Sequence, residues 1–226
     1  HALLGDNGAG KSTLIKIISG AVEKSGGIIM LDGKEVHFTM PKDAREAGIE
    51  TVYQDLSLAG TLPVGENIFL GAELMQPGFW GKLGFIDRKR MREEAKVVLD
   101  SLGATIRSYR NEVGSMSGGQ MQAVAISRAA KWGEKLVIMD EPTAALGVRQ
   151  KEMVLSLLER MKQDGKVTVL LITHNLPDVF RVADRVTILH QGRTVLSGGH
   201  AKSMSVEDII AYMTGAREER NDDCES

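Results

Sequence analysis

Apolar residues recur along this chain in two spacings. Uninterrupted runs at 136–139 and 169–172 suit buried strands, the second within a strand over 167–172, and the shorter apolar stretches at 1–4 and 49–53 read as further strands. Between the runs the spacing changes to threes and fours. Val154, Leu157, Leu158 and Met161 mark one face of a helix over 148–164 that Gly165 ends. Met91, Ala95, Val98 and Leu102 follow a capping Asp87 and predict a helix of about four turns. Further helices are expected over 12–18, after Ser117, over 175–183 and over 206–213. Asp32-Gly33 supplies the positive φ angles of a tight hairpin between 28–31 and 35–38, and a second pair of strands flanks Gln191-Gly192. Pro63, Pro77 and several glycines break the pattern between 56 and 84, leaving one credible helix near 64–75. Strands alternating with helices predict a mostly parallel α/β sheet with a small antiparallel portion. The expected division is a strand-rich lobe from 1–53 and 131–216, a helical lobe at 54–130 and a disordered tail at 217–226.

Composition narrows the classes. The chain has 226 residues, 42% hydrophobic and 26% charged, which suits a folded body with a sizeable core. No apolar run approaches the roughly 18 to 20 residues that span a bilayer. A lone Cys224 in the polar tail excludes a disulfide framework or a cysteine zinc cluster. Basic residues number 28 and acidic 30. Without the tail the body carries 26 against 25, so bulk charge predicts no nucleic-acid partner. The abrupt start on a strand predicts that further N-terminal strands belong to the working domain.

Three motifs carry chemistry. Gly5-Asp6-Asn7-Gly8-Ala9-Gly10-Lys11-Ser12 matches a phosphate loop between strand and helix. Its backbone N–H groups can surround a phosphate, with Lys11 on the β- and γ-phosphates and the Ser12 hydroxyl, followed by Thr13, toward Mg²⁺. Leu136-Val137-Ile138-Met139-Asp140-Glu141 sets two carboxylates at a strand end. Asp140 can hold Mg²⁺ through water, and Glu141 can deprotonate an attacking water, which points to hydrolysis. Met116-Ser117-Gly118-Gly119-Gln120 opens a helix and forms a second anion site. A helix cap explains Ser117 but leaves the two glycines without a reason.

Together these motifs resemble ATP-binding cassette ATPases over nearly the whole chain, from Gly5 to about Gly215. The resemblance implies a phosphate-loop NTPase fold, with Ser117, Gly118, Gly119 and Gln120 serving ATP bound to a second cassette in a head-to-tail dimer. It implies that Gln54 touches Mg²⁺ and the attacking water, and that His174 contacts the γ-phosphate. His1, His37, His190 and His200 lack a pattern and are expected at the surface, while Trp80, Trp132 and the methionines are expected to pack. The stretches from Tyr53 to Leu58 and from Val64 to Gly71 resemble the ATPases of bacterial monosaccharide importers of the ribose, xylose and fructose type. Implied partners are a transmembrane permease docked near Gln54 and 56–84 and, indirectly, a periplasmic solute-binding protein. The implied location is the cytoplasmic face of the membrane.

Three departures stand out. Gly147 replaces the Asp common in the family's interface-crossing loop. One cassette is present where many such importers carry two. The strand bearing the adenine-stacking aromatic does not precede the phosphate loop in this sequence. Rival readings are a soluble cassette acting on nucleic acid or the ribosome, an importer ATPase for a non-sugar solute, a small-molecule kinase, and an inactive fragment. No long heptad run separates Gln54 from Ser117, and a kinase would leave Ser117 to Gln120 unexplained.

Overall fold

A computed structural model describes residues 1–106 and 108–217. The chain order is β1 (Ala2–Gly5), α1 (Lys11–Ile18), β2 (Ile29–Leu31), β3 (Lys34–Val36), α2 (Pro41–Glu46), β4 (Ile49–Val52), α3 (Val64–Ile68), α4 (Phe79–Lys82) and α5 (Arg88–Ser101). After these come α6 (Gly118–Trp132), β5 (Leu136–Asp140), α7 (Val148–Asp164), β6 (Thr168–Ile172), α8 (Leu176–Val182), β7 (Arg185–His190), β8 (Arg193–His200) and α9 (Val206–Met213). Six strands form one sheet in the order β4-β5-β6-β1-β7-β8, parallel except where β8 returns antiparallel to β7. The β2–β3 hairpin stands apart as a two-stranded sheet.

Alternation within β5 explains why the run reads as continuously apolar. Val137 and Met139 join a cluster with α3, α5, α6 and α7, whereas Ile138 joins Leu3, Ile15, Phe38 and Ile172 on the other face. Burying both faces leaves no polar position in the strand interior. Ala2, Leu4, Val186 and Ile188 pack with Val179 and Ile209 in a third cluster. Register then sets the functional edge. Asp140 stands opposite Ile172, Ile172 opposite Leu3, and Val52 opposite Met139. The segments that follow β1, β4, β5 and β6 therefore leave the sheet along the same carboxyl edge, the usual position for ligands in such sheets.

Some elements differ from expectation. The helix expected over 64–75 stops at Ile68, because Phe69 turns inward to full burial and meets the Trp132 ring edge-on at 5.6 Å. Beyond it a loop closes through a Met75–Ile86 bridge and a 2.6 Å bond from the Asp87 N–H to the Leu74 carbonyl. Helices α2 and α4 were not expected. Pro41 starts α2, and the Asp43 carboxylate accepts the N–H groups of Thr39 and Met40, a start signal present in the sequence. In α5 the buried stripe is Met91, Ala95 and Leu99, with Val98 only half-buried. Of the expected tail, Arg217 is described and pairs with Asp208, while 218–226 lie outside the described residues. Among the described residues no helix is long and apolar enough to cross a membrane.

Candidate functional site

The turn after β1 is built from backbone. Gly8 and Gly10 take left-handed φ of 80° and 99°, a region side-chain-bearing residues rarely adopt. Gly10 is the N-cap of α1 and provides no side-chain bond to its first N–H groups. Those donors have no side-chain cap, and the helix dipole stands behind them. The Lys11 ammonium donates to the carbonyls of Gly5 at 2.7 Å and Asp6 at 3.0 Å, and the Gly192 N–H fastens the turn at Ala9 O, 3.1 Å. Asn7 donates its N–H to the Asp6 carboxylate at 2.7 Å, while Ser12 and Thr13 lie exposed in the first turn of α1.

Two strands away, β5 ends in the carboxylates. Burial pushes the Asp140 carboxyl above the ordinary range, the adjacent Glu141 charge adds to the rise, and Lys11 and Lys16 pull it part of the way back. Lys11 thus acts electrostatically across the intervening β6. Glu141 has φ 50°, in the left-handed region, and its N–H donates to Ile172 O at 2.9 Å. A non-glycine residue there is strained. The strain accompanies a specific contact: His174 Nδ1 donates to Glu141 Oε1 at 2.8 Å. Glu141 is only 18% exposed and His174 is 74% exposed, so the carboxylate is sheltered and the imidazole reaches outward.

A buried network supports this pair, and the sequence reading missed it. Thr143 Oγ1 donates to Asp178 at 2.9 Å, Lys151 pairs with the other Asp178 oxygen at 2.7 Å, and Asp178 is 2% exposed. The contacts tie the turn after Glu141 to the first turns of α7 and α8. Only the spacing of Asp178 after His174 could have signalled it, since a lone Asp in a helix normally reads as solvated. Gly147 is the N-cap of α7, with φ of −68° that any residue can adopt.

Ser117 caps α6 and lies apart from the phosphate loop. Gln120 N–H donates to Ser117 Oγ at 3.4 Å while Gln120 Oε1 accepts from Ser117 N–H at 3.2 Å, a reciprocal cap. Gly119 has a structural reason: a Cβ there would lie 2.8 Å from Gln150 Cβ, so its absence lets α7 approach α6. Gly118 is looser, with Leu146 at 3.6 Å. A 570 Å³ pocket beside this turn is lined by Ser117, Gln120, Asn111, Arg149 and Gln150, with none of the residues 5–13.

Gln54 is exposed just past β4. Its neighbour Tyr53, though not Gln54 itself, lines a 650 Å³ cleft with Arg45, Glu50, Leu70, Arg128 and Trp132, among others. Burial raises the Glu50 carboxyl above its usual range against the pull of Arg45 and Arg128. Arg128 donates to the carbonyls of Leu56 at 3.3 Å and Ser57 at 3.0 Å, fastening the segment after Gln54 to α6. Two expectations about other residues change. His1 and His190 are half-buried, bonded to Thr187 at 2.8 Å and Met213 O at 2.9 Å, because β1 and β7 pair in the sheet centre. Trp132 packs, but Trp80 is 56% exposed.

Residues 1–144 match the ABC transporter family. The chain is 48% identical over 219 residues to the fructose import ATP-binding protein FrcA of Rhizobium meliloti, covering 96% of this chain and 84% of that one. It is 47% identical over 215 residues to the xylose/arabinose import ATP-binding protein XylG of Sulfolobus acidocaldarius, covering 94% and 82%. Among solved structures, cbiO1 from Clostridium perfringens, part of the ABC transporter complex cbiONQ, superposes with a TM-score of 0.73 at 27% identity, covering 96% of this chain and 82% of that one.

Proposed function

Since this chain belongs to the ABC transporter family of ATPases, we propose that it hydrolyses ATP to drive import of a monosaccharide through a membrane permease. The substrate class rests on the fructose and xylose/arabinose import relatives. One observation carries the hydrolytic reading: a sheltered carboxylate, Glu141, held 2.8 Å from an outward-reaching His174 on the edge where the phosphate loop opens.

In this reading the uncapped N–H groups of α1 and Lys11 hold the phosphate chain, with Gly5, Asp6, Asn7, Gly8, Ala9 and Gly10 shaping the turn. Lys11 exchanges its loop carbonyls for phosphate oxygens. Ser12, Asp140 and Gln54 would supply oxygen donors to Mg²⁺, a hard cation that keeps waters and takes few protein ligands. Among the described residues no cluster of three or more His, Cys, Asp or Glu fits a metal, so phosphate oxygens would complete the set. Bound there, the ion would supply charge neutralisation on the phosphates. Glu141 accepts the proton of the attacking water, and His174 both orients Glu141 and donates toward the γ-phosphate. Ser117, Gly118 and Gln120 of a second cassette close the far side of the nucleotide.

The cleft beside Gln54 receives the membrane subunit. Its Arg45, Glu50 and Arg128 give it charges of both signs, and Arg128 links it to α6 and the Ser117 turn. The lobes divide at 53/54 and 130/131, and motion of 54–130 on ATP binding moves the permease. The chain works peripherally on the cytoplasmic face, fed through a periplasmic solute-binding protein. The test is ATP turnover by the chain co-purified with its permease and binding protein in vesicles. Stimulation by a single monosaccharide supports the reading. Turnover indifferent to every monosaccharide, yet raised by another solute, refutes the substrate class.

A further inference from the structure

The loop between α3 and α5, partly within the 56–84 segment that the resemblance gave to permease docking, carries a surface that lines neither the cleft beside Gln54 nor the phosphate turn. Phe79, Trp80, Leu83 and Phe85 are each more than half exposed, and Met75 is nearly so. Three of the chain's aromatic residues thus sit within seven positions, where they bury little of themselves in any core. They nonetheless form one assembly. Trp80 meets Phe85 edge-on at 5.3 Å and Phe79 at 6.0 Å. The backbone fixes their arrangement through Gln76 N–H to Phe85 O at 2.8 Å and Phe85 N–H to Trp80 O at 3.1 Å. A Cβ on Gly81 would lie 1.9 Å from the Gln76 carbonyl, so the turn is closed tightly against itself. Holding apolar rings rigidly in water is unfavourable unless something covers them.

Charge indicates what does. Between 70 and 92 stand five basic residues, Lys82, Arg88, Lys89, Arg90 and Arg92, against two acidic ones, Glu73 and Asp87, in a chain of net charge −2. Both acidic side chains accept local backbone N–H groups, Glu73 from Gly71 and Asp87 from Arg90. Arg88 and Arg90 pair with Glu66 and Glu94, at 3.2 and 3.1 Å, leaving Lys82 and Lys89 exposed at the rim. The cleft beside Gln54 is different, since its lining mixes Arg45 and Arg128 with Glu46, Glu50 and Glu134. Tryptophan and phenylalanine rimmed by lysine match the headgroup boundary of an anionic bilayer, with rings in the apolar margin and ammonium groups at the phosphates.

We propose that this lip, residues 75–90, contacts an anionic lipid surface, inserting Phe79, Trp80 and Phe85 beside the permease while Lys82 and Lys89 meet lipid phosphates. The position beside the permease rests on the proposed function, whereas binding to a lipid surface is read on vesicles with neither permease nor ATP present, so failure of one is distinguishable from failure of the other. The purified chain is sedimented with phosphatidylcholine vesicles containing phosphatidylglycerol and with vesicles of phosphatidylcholine alone. The expected result is binding to the anionic vesicles that weakens as salt rises and is nearly lost on the neutral ones. Trp80→Ala lowers the partition about tenfold, the loss of one partly buried aromatic contact. The double change Lys82→Glu and Lys89→Glu removes the preference for anionic lipid. Circular dichroism and melting checks confirm that the variants fold, and ATP turnover without membranes stays at the wild-type rate. Absence of vesicle binding overturns the proposal and leaves the lip to a protein partner. Undiminished binding by both folded variants overturns it equally.

Discussion

Two helices of this chain begin at turns that bind anions in principle, and they are built in opposite ways. The first turn of α1 has Gly10 at its N-cap and no side-chain cap, so its leading N–H groups keep their donors for an external partner. The first turn of α6 satisfies itself, with Ser117 and Gln120 bonded reciprocally and Gly119 pressed against α7. An uncapped helix start costs about 1 kcal/mol in stability relative to a capped one. The α1 turn carries that cost together with left-handed glycines, which makes sense for a primary phosphate site. The α6 turn is already stable, which under the proposed function suits a turn whose donors would meet a nucleotide presented on a second cassette.

The largest effect expected from disturbing this arrangement is at Glu141, the base in the proposed function. Glu141→Gln keeps the shape and the His174 contact but cannot take a proton, so ATP turnover falls about a hundredfold or more while ATP binding persists. A radiolabelled phosphate-release assay beside equilibrium binding separates the two, and near-normal turnover would remove Glu141 from the role. Next in size, Lys11→Ala deletes a charge-assisted bond to the phosphates and weakens ATP affinity about tenfold to a hundredfold, read by titration calorimetry. Unchanged affinity would mean that the α1 turn is not the primary site.

Gly119→Ala tests the packing role assigned to the α6 turn. Its Cβ would collide with Gln150, so the chain should lose about 1–3 kcal/mol of stability in urea unfolding, with ATP affinity of the single chain preserved. A variant as stable as wild type would remove the packing explanation. The smallest effect on stability is expected from Asp140→Asn. The Asp140 carboxyl is raised in the folded chain, so folding favours its protonated form. That penalty is absent below the ordinary Asp range, grows as pH rises toward the raised value and is fully present above it. The variant should therefore melt slightly higher than wild type at neutral pH and equally near pH 3, while hydrolysing poorly. A lower melting point at neutral pH would contradict the sign.

Much of the sheet edge was legible because its chemistry is local. A glycine-punctuated turn, an apolar strand ending in Asp140-Glu141 and a polar residue after β6 can each be read within a few residues. Strand alternation then fixes which edge they share. What escaped the sequence depends on distant neighbours. The inward rotation of Phe69 onto Trp132 ends α3 early, and no spacing within 64–75 reveals it. Asp178 looks like a solvated helix residue until Thr143 and Lys151 converge on it. The two glycines after Ser117 looked like phosphate ligands together, yet the second is also a contact with α7 that a one-dimensional motif cannot express. Trp80 read as a packing residue because composition does not distinguish a core aromatic from an exposed one.

The central claim is that the two unlike helix starts meet across a dimer to make one ATP site. Mixing a Lys11→Ala chain with a Ser117→Ala chain tests it most directly. Each variant alone lacks one half of every site, and the mixed dimer contains one intact pair. On random pairing half the dimers are mixed, so turnover should recover to roughly a quarter of the wild-type rate. A mixture no more active than either variant alone, with both chains folded and dimerising, would contradict the account.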